Sequence, residues 1–235
     1  MRKEKFVPGE YYHVYTRTIL KSPEFKNYGN ANRLAQAFLL GNSTMSSQAF
    51  NYLRNNRNPI FEKAVEIARQ GKRLTDIVCY SIMPDHYHLL LREKSESGIT
   101  DFIRRCNTSI AKYINTKFNR AGPLFEGNFK SKHISSNEYL LHLSVYIHLN
   151  PLDFLSNKEW RYNKLKNWPL EKQKLLNYPL TSLMAFLKKD YSNQIISGEK
   201  IITGQFKNCE EYEKYLKDWA VNTLELEKTK DFIID

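Results

Sequence analysis

Ile82-Met83-Pro84-Asp85-His86-Tyr87-His88-Leu89-Leu90-Leu91 is the stretch that decides the fold and the chemistry of this 235-residue chain. A strand places residues i and i+2 on the same face. If His86 opens a strand running to about residue 93, both imidazoles point one way while Tyr87 and Leu89 point the other. Two same-face nitrogens on a rigid element are ready to share one divalent ion, and they require a third ligand and a substrate. A lone His-x-His pair is more often structural than metal-binding, so its neighbours in the chain have to decide. A second apolar run at 75–82 precedes it, joined across Pro84-Asp85 as two adjacent strands would be.

Working outward, Tyr11 to Thr16 is rich in β-formers and reads as the first strand. Residues 22–73 read as a helical insertion. Ala31, Leu34, Ala35 and Phe38 keep helical spacing before Gly41, and a later helix starts with Asn58 as cap and Pro59 as first-turn residue, ending near Gly71. A helix over 99–118 carries Ile99, Phe102, Ile103, Cys106, Ile110 and Tyr113 on one face, and Leu124 to Ile134 reads as extended. Ser135 to Glu138 is a capping box opening a helix that runs to about Leu149. Pro151 stops it, because the residue before a proline is pushed out of helical geometry. This order predicts an α+β domain over residues 1–155, with helices packed on one face of an antiparallel sheet. Residues 156–235 are expected to form a mostly helical C-terminal extension. Its last helix is capped by Asn208 and Glu211 and buries Tyr212, Tyr215, Leu216 and Trp219.

Composition narrows the partners. With 36 Lys and Arg against 25 Asp and Glu, the chain carries a net charge of +11, which favours a polyanion. The basic excess is concentrated in residues 101–135, in Arg104, Arg105, Lys112, Lys117, Arg120, Lys130 and Lys132. Residues 209–235 run acidic instead, with Glu210, Glu211, Glu213, Glu225 and Glu227. No apolar run is long enough to span a bilayer, and the charged start lacks a signal-peptide core. Cys79, Cys106 and Cys209 are odd in number and far apart, which argues against a disulfide framework and for a reducing cytoplasm.

Tyr146 and Asn150, four residues apart, share a helix face. The amide oxygen of Asn150 is the kind of donor a hard cation accepts, so His86, His88 and Asn150 form a candidate ligand set for Mg²⁺ or Mn²⁺. An ion held there would align a phosphodiester for in-line attack by the Tyr146 phenol. Spacing alone does not single out Tyr146 among fifteen tyrosines. Tyr113, on the helix in the basic stretch, competes with it, and either could be a half-buried aromatic with a wet hydroxyl.

Met83 to Leu91 resembles the His-hydrophobic-His motif of the single-tyrosine HUH transposases, an IS200-like group. Three further runs resemble the REP-associated tyrosine transposase branch: Tyr113-Ile114-Asn115, Gly122 through Ser131, and Tyr139-Leu140-Leu141 through Tyr146 to Pro151. The resemblance covers about residues 8–155. It implies a ferredoxin-like sheet, a metal bound by His86 and His88 with Asn150 as third ligand, and Tyr146 as the nucleophile. It also implies cleavage and rejoining of single-stranded DNA beside hairpins through a 5′-phosphotyrosine, without a nucleotide cofactor. Asn128 stands where the family usually has Arg, and residues 22–73 and those after about 160 match weakly.

The expected protein is therefore a Mg²⁺- or Mn²⁺-dependent DNA endonuclease and strand transferase, in transposition or a domesticated derivative of it. It would act on single-stranded and hairpin DNA, off the membrane, as a cytoplasmic, nucleoid-associated bacterial protein, either a monomer or a homodimer. The seven basic residues of 101–135 would track phosphates; Phe118, Phe125 and Phe129 are candidate stacking surfaces, with core packing the alternative for each, and His133, in the basic extended segment, either faces DNA or is an ordinary surface histidine. His142, one turn before Tyr146, is a possible supporting partner at the metal, whereas His148 points elsewhere on the helix. The alternatives are a noncatalytic hairpin DNA- or RNA-binding module, a metallonuclease using activated water, and a structural protein.

Overall fold

The computed structural model describes residues 5–156, 158–162, 165–188 and 193–221. Four strands form one antiparallel sheet: β1 (Tyr11–Arg17), β2 (Thr75–Ile82), β3 (His86–Glu93) and β4 (Lys130–Ile134), in the spatial order β2-β3-β1-β4. β3 and β1 are central, with His88 opposite Tyr15 and Leu90 opposite His13. β2 pairs with β3 through a register shift between Ile77 and Cys79. The two long connections, β1 to β2 and β3 to β4, carry the helices of the insertion and of the basic segment. That is the connectivity of a ferredoxin-like sheet.

The insertion holds α1 (Tyr28–Gly41), α2 (Ser46–Asn55) and α3 (Phe61–Arg69). Asn27 caps α1 by accepting from the Asn30 backbone N–H. α2 is not expected from the sequence, because its Ser, Gln and Asn residues blur the apolar period. α3 begins at Phe61, later than expected, with Asn58 and Pro59 just ahead of the helix. α1 packs beside α4 (Gly98–Lys117) on the sheet face that carries Tyr80 and Tyr87. Phe38 of α1 meets both rings, at 6.1 and 5.2 Å, and the Tyr87 hydroxyl donates to Asn107 of α4 at 2.8 Å. The N-terminus of α4 is held by the buried Glu93 carboxylate, which accepts from the backbone N–H of Gly98 and of Ile99, each at 2.8 Å.

The helices α1 and α4 thus lie on one face, as expected for the domain. The opposite face is covered as well, by α5 (Asn137–Leu149). Ser136 caps α5, accepting from Tyr139 N–H, and the helix buries residues all round its circumference. A helix of that kind has to be sandwiched between layers. Pro151 does not force Asn150 out of helical geometry: Asn150 sits at φ −50°, ψ −38°, and Pro151 opens the short α6 (Leu152–Leu155). A proline is tolerated there because a first-turn N–H has no helical partner anyway.

A 3-10 turn (Lys158–Tyr162), α7 (Trp168–Leu176), α8 (Leu183–Leu187), α9 (Lys200–Thr203) and α10 (Cys209–Val221) follow. Trp160, Leu175, Phe186, Tyr212 and Leu216 join one apolar core with the sheet and α5. The same segment covers the outer edge of β2: Ile82 N–H donates to Leu180, Ser182 N–H to Tyr80 and Ser197 N–H to Ile77. An open strand edge would invite pairing with another chain. Glu225 and Glu227 of the acidic C-terminal stretch lie outside the described residues. Among those described, no helix is long and apolar enough to cross a membrane.

Candidate active site

β3 presents His86 and His88 on the α5 face, their rings 4.9 Å apart and nearly perpendicular. Each ring is anchored through Nδ1. His86 Nδ1 lies 2.6 Å from Asp85 Oδ1, and Arg17 Nε lies 3.5 Å from the other carboxylate oxygen. His88 Nδ1 lies 2.9 Å from Nε2 of His13, a fully buried residue of β1. Both remaining Nε2 atoms are buried, with no hydrogen-bond partner among the described residues. Imidazoles fixed through Nδ1, with Nε2 left open, have the arrangement that metal-binding histidines adopt.

The electrostatics agree. Burial, reinforced by repulsion from His86, His13, Arg161 and Arg17, holds His88 well below the usual histidine range. It is therefore neutral, the form a metal accepts. Burial pushes the Asp85 carboxyl upward, but the His86 hydrogen bond and the charges of His86 and Arg17 bring it below its ordinary value. Asp85 is thus a carboxylate able to orient His86.

Tyr146 stands edge-on to His88, ring centroids 5.5 Å apart at 85°, and 6.3 Å from His13. The approach is made within one chain. Arg161, from the 3-10 turn, lies with Cζ 5.3 Å from the centre of the Tyr146 ring and 4.9 Å from that of Trp160. Its guanidinium donates to Asp153 at 2.7 and 3.0 Å, and to Asn150 Oδ1 at 2.9 Å. Asn150 is fully buried, and its oxygen is already engaged by Arg161. An amide oxygen has a second lone pair. Among the described residues no group of three His, Cys, Asp or Glu side chains could hold a metal. The two histidines therefore fit an ion only with a donor from outside that set, and the Asn150 oxygen, held by Arg161, is not among the described residues that line the cleft over them.

A cleft of about 180 Å³ opens over the pair, lined by Tyr15, Arg17, Glu126, Asn128 and Lys130. Asn128, where the sequence resemblance expects Arg, is thus part of the cleft wall. Lys132 shares the face of Lys130 on β4, its ammonium 5.4 Å from the Tyr139 ring centre. The other basic candidates lie elsewhere. Arg104, Arg105, Lys112 and Lys117 sit on α4, beyond the other face of the sheet, and Arg120 is paired with Glu24 at 2.8 Å.

Tyr113 is on α4 too, beneath the Arg33 guanidinium, so of the two competing tyrosines only Tyr146 packs against the histidine pair. His142 is not drawn into the site as a supporting partner. It packs on Trp219 and Tyr215 of α10, at 5.5 and 6.4 Å, because its side of α5 faces the C-terminal helix. His133 lies 2.8 Å from Glu10. His148 is buried between Tyr212 and Ser182, at 2.8 and 2.9 Å. Phe125 packs in the core against Phe25 and Tyr87, Phe129 stacks on Phe6, and Phe118 is exposed.

His13, Asp85 and Arg161 were missed in the sequence. Asp85 had a signal, its adjacency to His86. The other two had none, since the β1–β3 register and the fold-back of the C-terminal segment bring them in.

Residues 51–150 match the family model described as "Transposase IS200 like". Two solved structures are similar to this chain. One, a REP-associated tyrosine transposase bound to a REP hairpin, is 10% identical, with 84% of this chain and 93% of that chain covered and a TM-score of 0.49. The other, a candidate transposase from Deinococcus radiodurans R1, is 15% identical, with 61% of this chain and 93% of that chain covered and a TM-score of 0.33. No curated protein matches the chain. The resemblance to IS200-like transposases carried by the histidine and tyrosine motifs is thus borne out over residues 51–150.

Proposed function

We propose that this protein cuts and rejoins single-stranded DNA beside hairpins, with Tyr146 as nucleophile and a divalent ion held by His86, His88 and Asn150. The observation that carries the proposal is the packing of Tyr146 edge-on against His88, whose Nε2, like that of His86, is buried with no hydrogen-bond partner among the described residues. Mg²⁺ or Mn²⁺ bound there would withdraw charge from a nonbridging phosphate oxygen. The Tyr146 oxygen attacks phosphorus as its phenolic proton passes to water, and the leaving 3′ oxygen takes one proton up from water. The bond from phosphorus to the 3′ oxygen breaks, giving a 5′-phosphotyrosine and a 3′-hydroxyl. Attack by a 3′-hydroxyl on the phosphotyrosine reverses the step and rejoins the strand, so no nucleotide is hydrolysed.

The surrounding residues have defined work in this scheme. Arg161, over the Tyr146 ring, fixes the ring plane. Arg17 and Lys130, on the cleft wall, neutralise the flanking phosphates. Asp85 and His13 keep the two imidazoles in the orientation and tautomer a metal needs.

The test is incubation of the protein with Mn²⁺ and labelled hairpin DNA carrying a single-stranded flank, followed by denaturing electrophoresis. A protein-linked labelled species is expected from wild type and Tyr113→Phe and absent from Tyr146→Phe. Cleavage that persists in Tyr146→Phe without a protein-linked product would mean hydrolysis by water. An adduct that survives Tyr146→Phe and is lost in Tyr15→Phe would move the nucleophile to β1.

A further inference from the structure

Beyond the opposite face of the sheet from the histidine pair, α1, α2 and α4 enclose a groove of about 580 Å³. Among the described residues its walls carry six cations, Arg33, Arg54, Arg104, Arg105, Lys112 and Lys117, and no carboxylate. Such an imbalance is expensive to maintain without an anion, because like charges at helical spacing repel. Two of the six are committed to the fold: Arg105 donates to Ser43 O and Ser46 Oγ, and Lys117 donates to Asn30. Asp101 pairs with Arg104 and Arg105 outside the groove lining.

Arg33 is the telling residue. Its guanidinium lies between the rings of Phe50 and Tyr113, 6.0 and 5.9 Å from their centres, and among the described residues no carboxylate pairs with it. Burial holds its pKa below the usual arginine value, as expected for a partly desolvated cation lacking a counter-charge. Lys112, Arg104 and Arg54 stand around it, exposed. Thr108, Ser109 and Ser47 add hydroxyl donors on the same walls. The α2 wall is firm, since α1, α2 and α3 share a small apolar cluster of Leu40, Ala49, Ala64, Val65 and Ala68.

We propose that this groove grips the sugar-phosphate backbone of duplex DNA, the stem of a hairpin whose single-stranded flank enters the histidine cleft on the other side of the sheet. Cations and hydroxyls without carboxylates are phosphate chemistry. Base stacking is disfavoured, because Arg33 already occupies the Phe50 and Tyr113 rings that would serve as platforms. Duplex DNA presents one charge per about 1.7 Å of axis, a density that several clustered cations match better than a single flexible strand does. The proposal rests on the cleavage proposal above only for the identity of the polyanion.

The experiment measures affinity by fluorescence anisotropy over a series of KCl concentrations, in a Tyr146→Phe background so that cleavage plays no part. Two probes are used, a hairpin with its flank and the flank alone. Arg54→Glu/Lys112→Glu alters two exposed positions, so folding is preserved, and Arg33→Gln is measured beside it. The double variant is expected to weaken hairpin binding at least tenfold. It should also flatten the slope of log K against log salt by about 2, near 0.9 for each phosphate no longer neutralised. Binding of the flank alone should change less than twofold. Unchanged hairpin affinity and slope would overturn the proposal, and so would an equal loss on both probes, which would make the groove a single-strand site. Stem-dependent binding by a protein that never forms a tyrosine adduct would refute the cleavage proposal and leave this one standing.

Discussion

Arg161→Ala removes one partner of a nearly buried ion pair and uncouples the C-terminal turn from the tyrosine. The Arg161 and Asp153 side chains are only 12% and 14% exposed, and the guanidinium makes three hydrogen bonds of 2.7–3.0 Å to the carboxylate. Truncating one member of a buried pair costs about 3–5 kcal/mol, because the other charge is left desolvated. Asp153 keeps one further donor, Trp160 Nε1 at 2.7 Å, so the lower end applies, about 3 kcal/mol. At about 2–4 °C per kcal/mol for a chain of this size, the midpoint of thermal unfolding should fall by roughly 6–12 °C. Urea denaturation followed by tryptophan fluorescence gives the free energy directly. Asp153→Asn should lose less than Arg161→Ala, and the double variant less than the sum of the two. Losses for Arg161→Ala below about 0.5 kcal/mol, the scale of an exposed pair, would refute the packing of this turn against Asn150 and Tyr146.

The remaining predictions concern acid stability, backbone crowding and metal affinity. Burial holds His148 neutral, with a pKa of about 3 against about 6.5 when unfolded. The unfolded chain therefore takes up the proton first as pH falls, and stability is lost progressively below about pH 6.5, by about 2 kcal/mol at pH 5. His88 contributes in the same direction, so the check is the difference in denaturation free energy between pH 7 and pH 5 in wild type and His148→Gln, which should be smaller in the variant. Gly98→Ala drives a Cβ into the Leu74 carbonyl oxygen and should cost about 3 kcal/mol by urea denaturation. His13→Gln alters the hydrogen bond that orients His88, and calorimetric titration without DNA should show Mn²⁺ affinity falling about tenfold.

Much of the fold was legible because its signals are local. Runs of β-forming and apolar residues placed the three strands that carry His13, Cys79 and His88, and the apolar face from Ile99 to Tyr113 placed α4. The second helical layer over the sheet was not legible, because α5 is apolar on every side and such a helix does not disclose which layer it joins. At the site, His86, His88, Tyr146 and Asn150 stood out by spacing and resemblance. His13 depends on strand register, and Arg161 on a chain reversal after Pro151, neither of which is encoded in local periodicity. The basic residues show the same limit. Charge along the sequence grouped Lys130 with Lys112, yet the sheet separates them, one at the cleft and the other in the groove behind.

The most direct test of the central claim is peptide mapping by mass spectrometry after reaction with a short single-stranded flank and Mn²⁺. A covalent nucleotide should be found on the peptide containing Tyr146, joined through a 5′ phosphate, together with a released 3′-hydroxyl fragment. A nucleotide found on Tyr113 or Tyr15, or cleaved DNA with a free 5′ phosphate and no modified peptide, would contradict it.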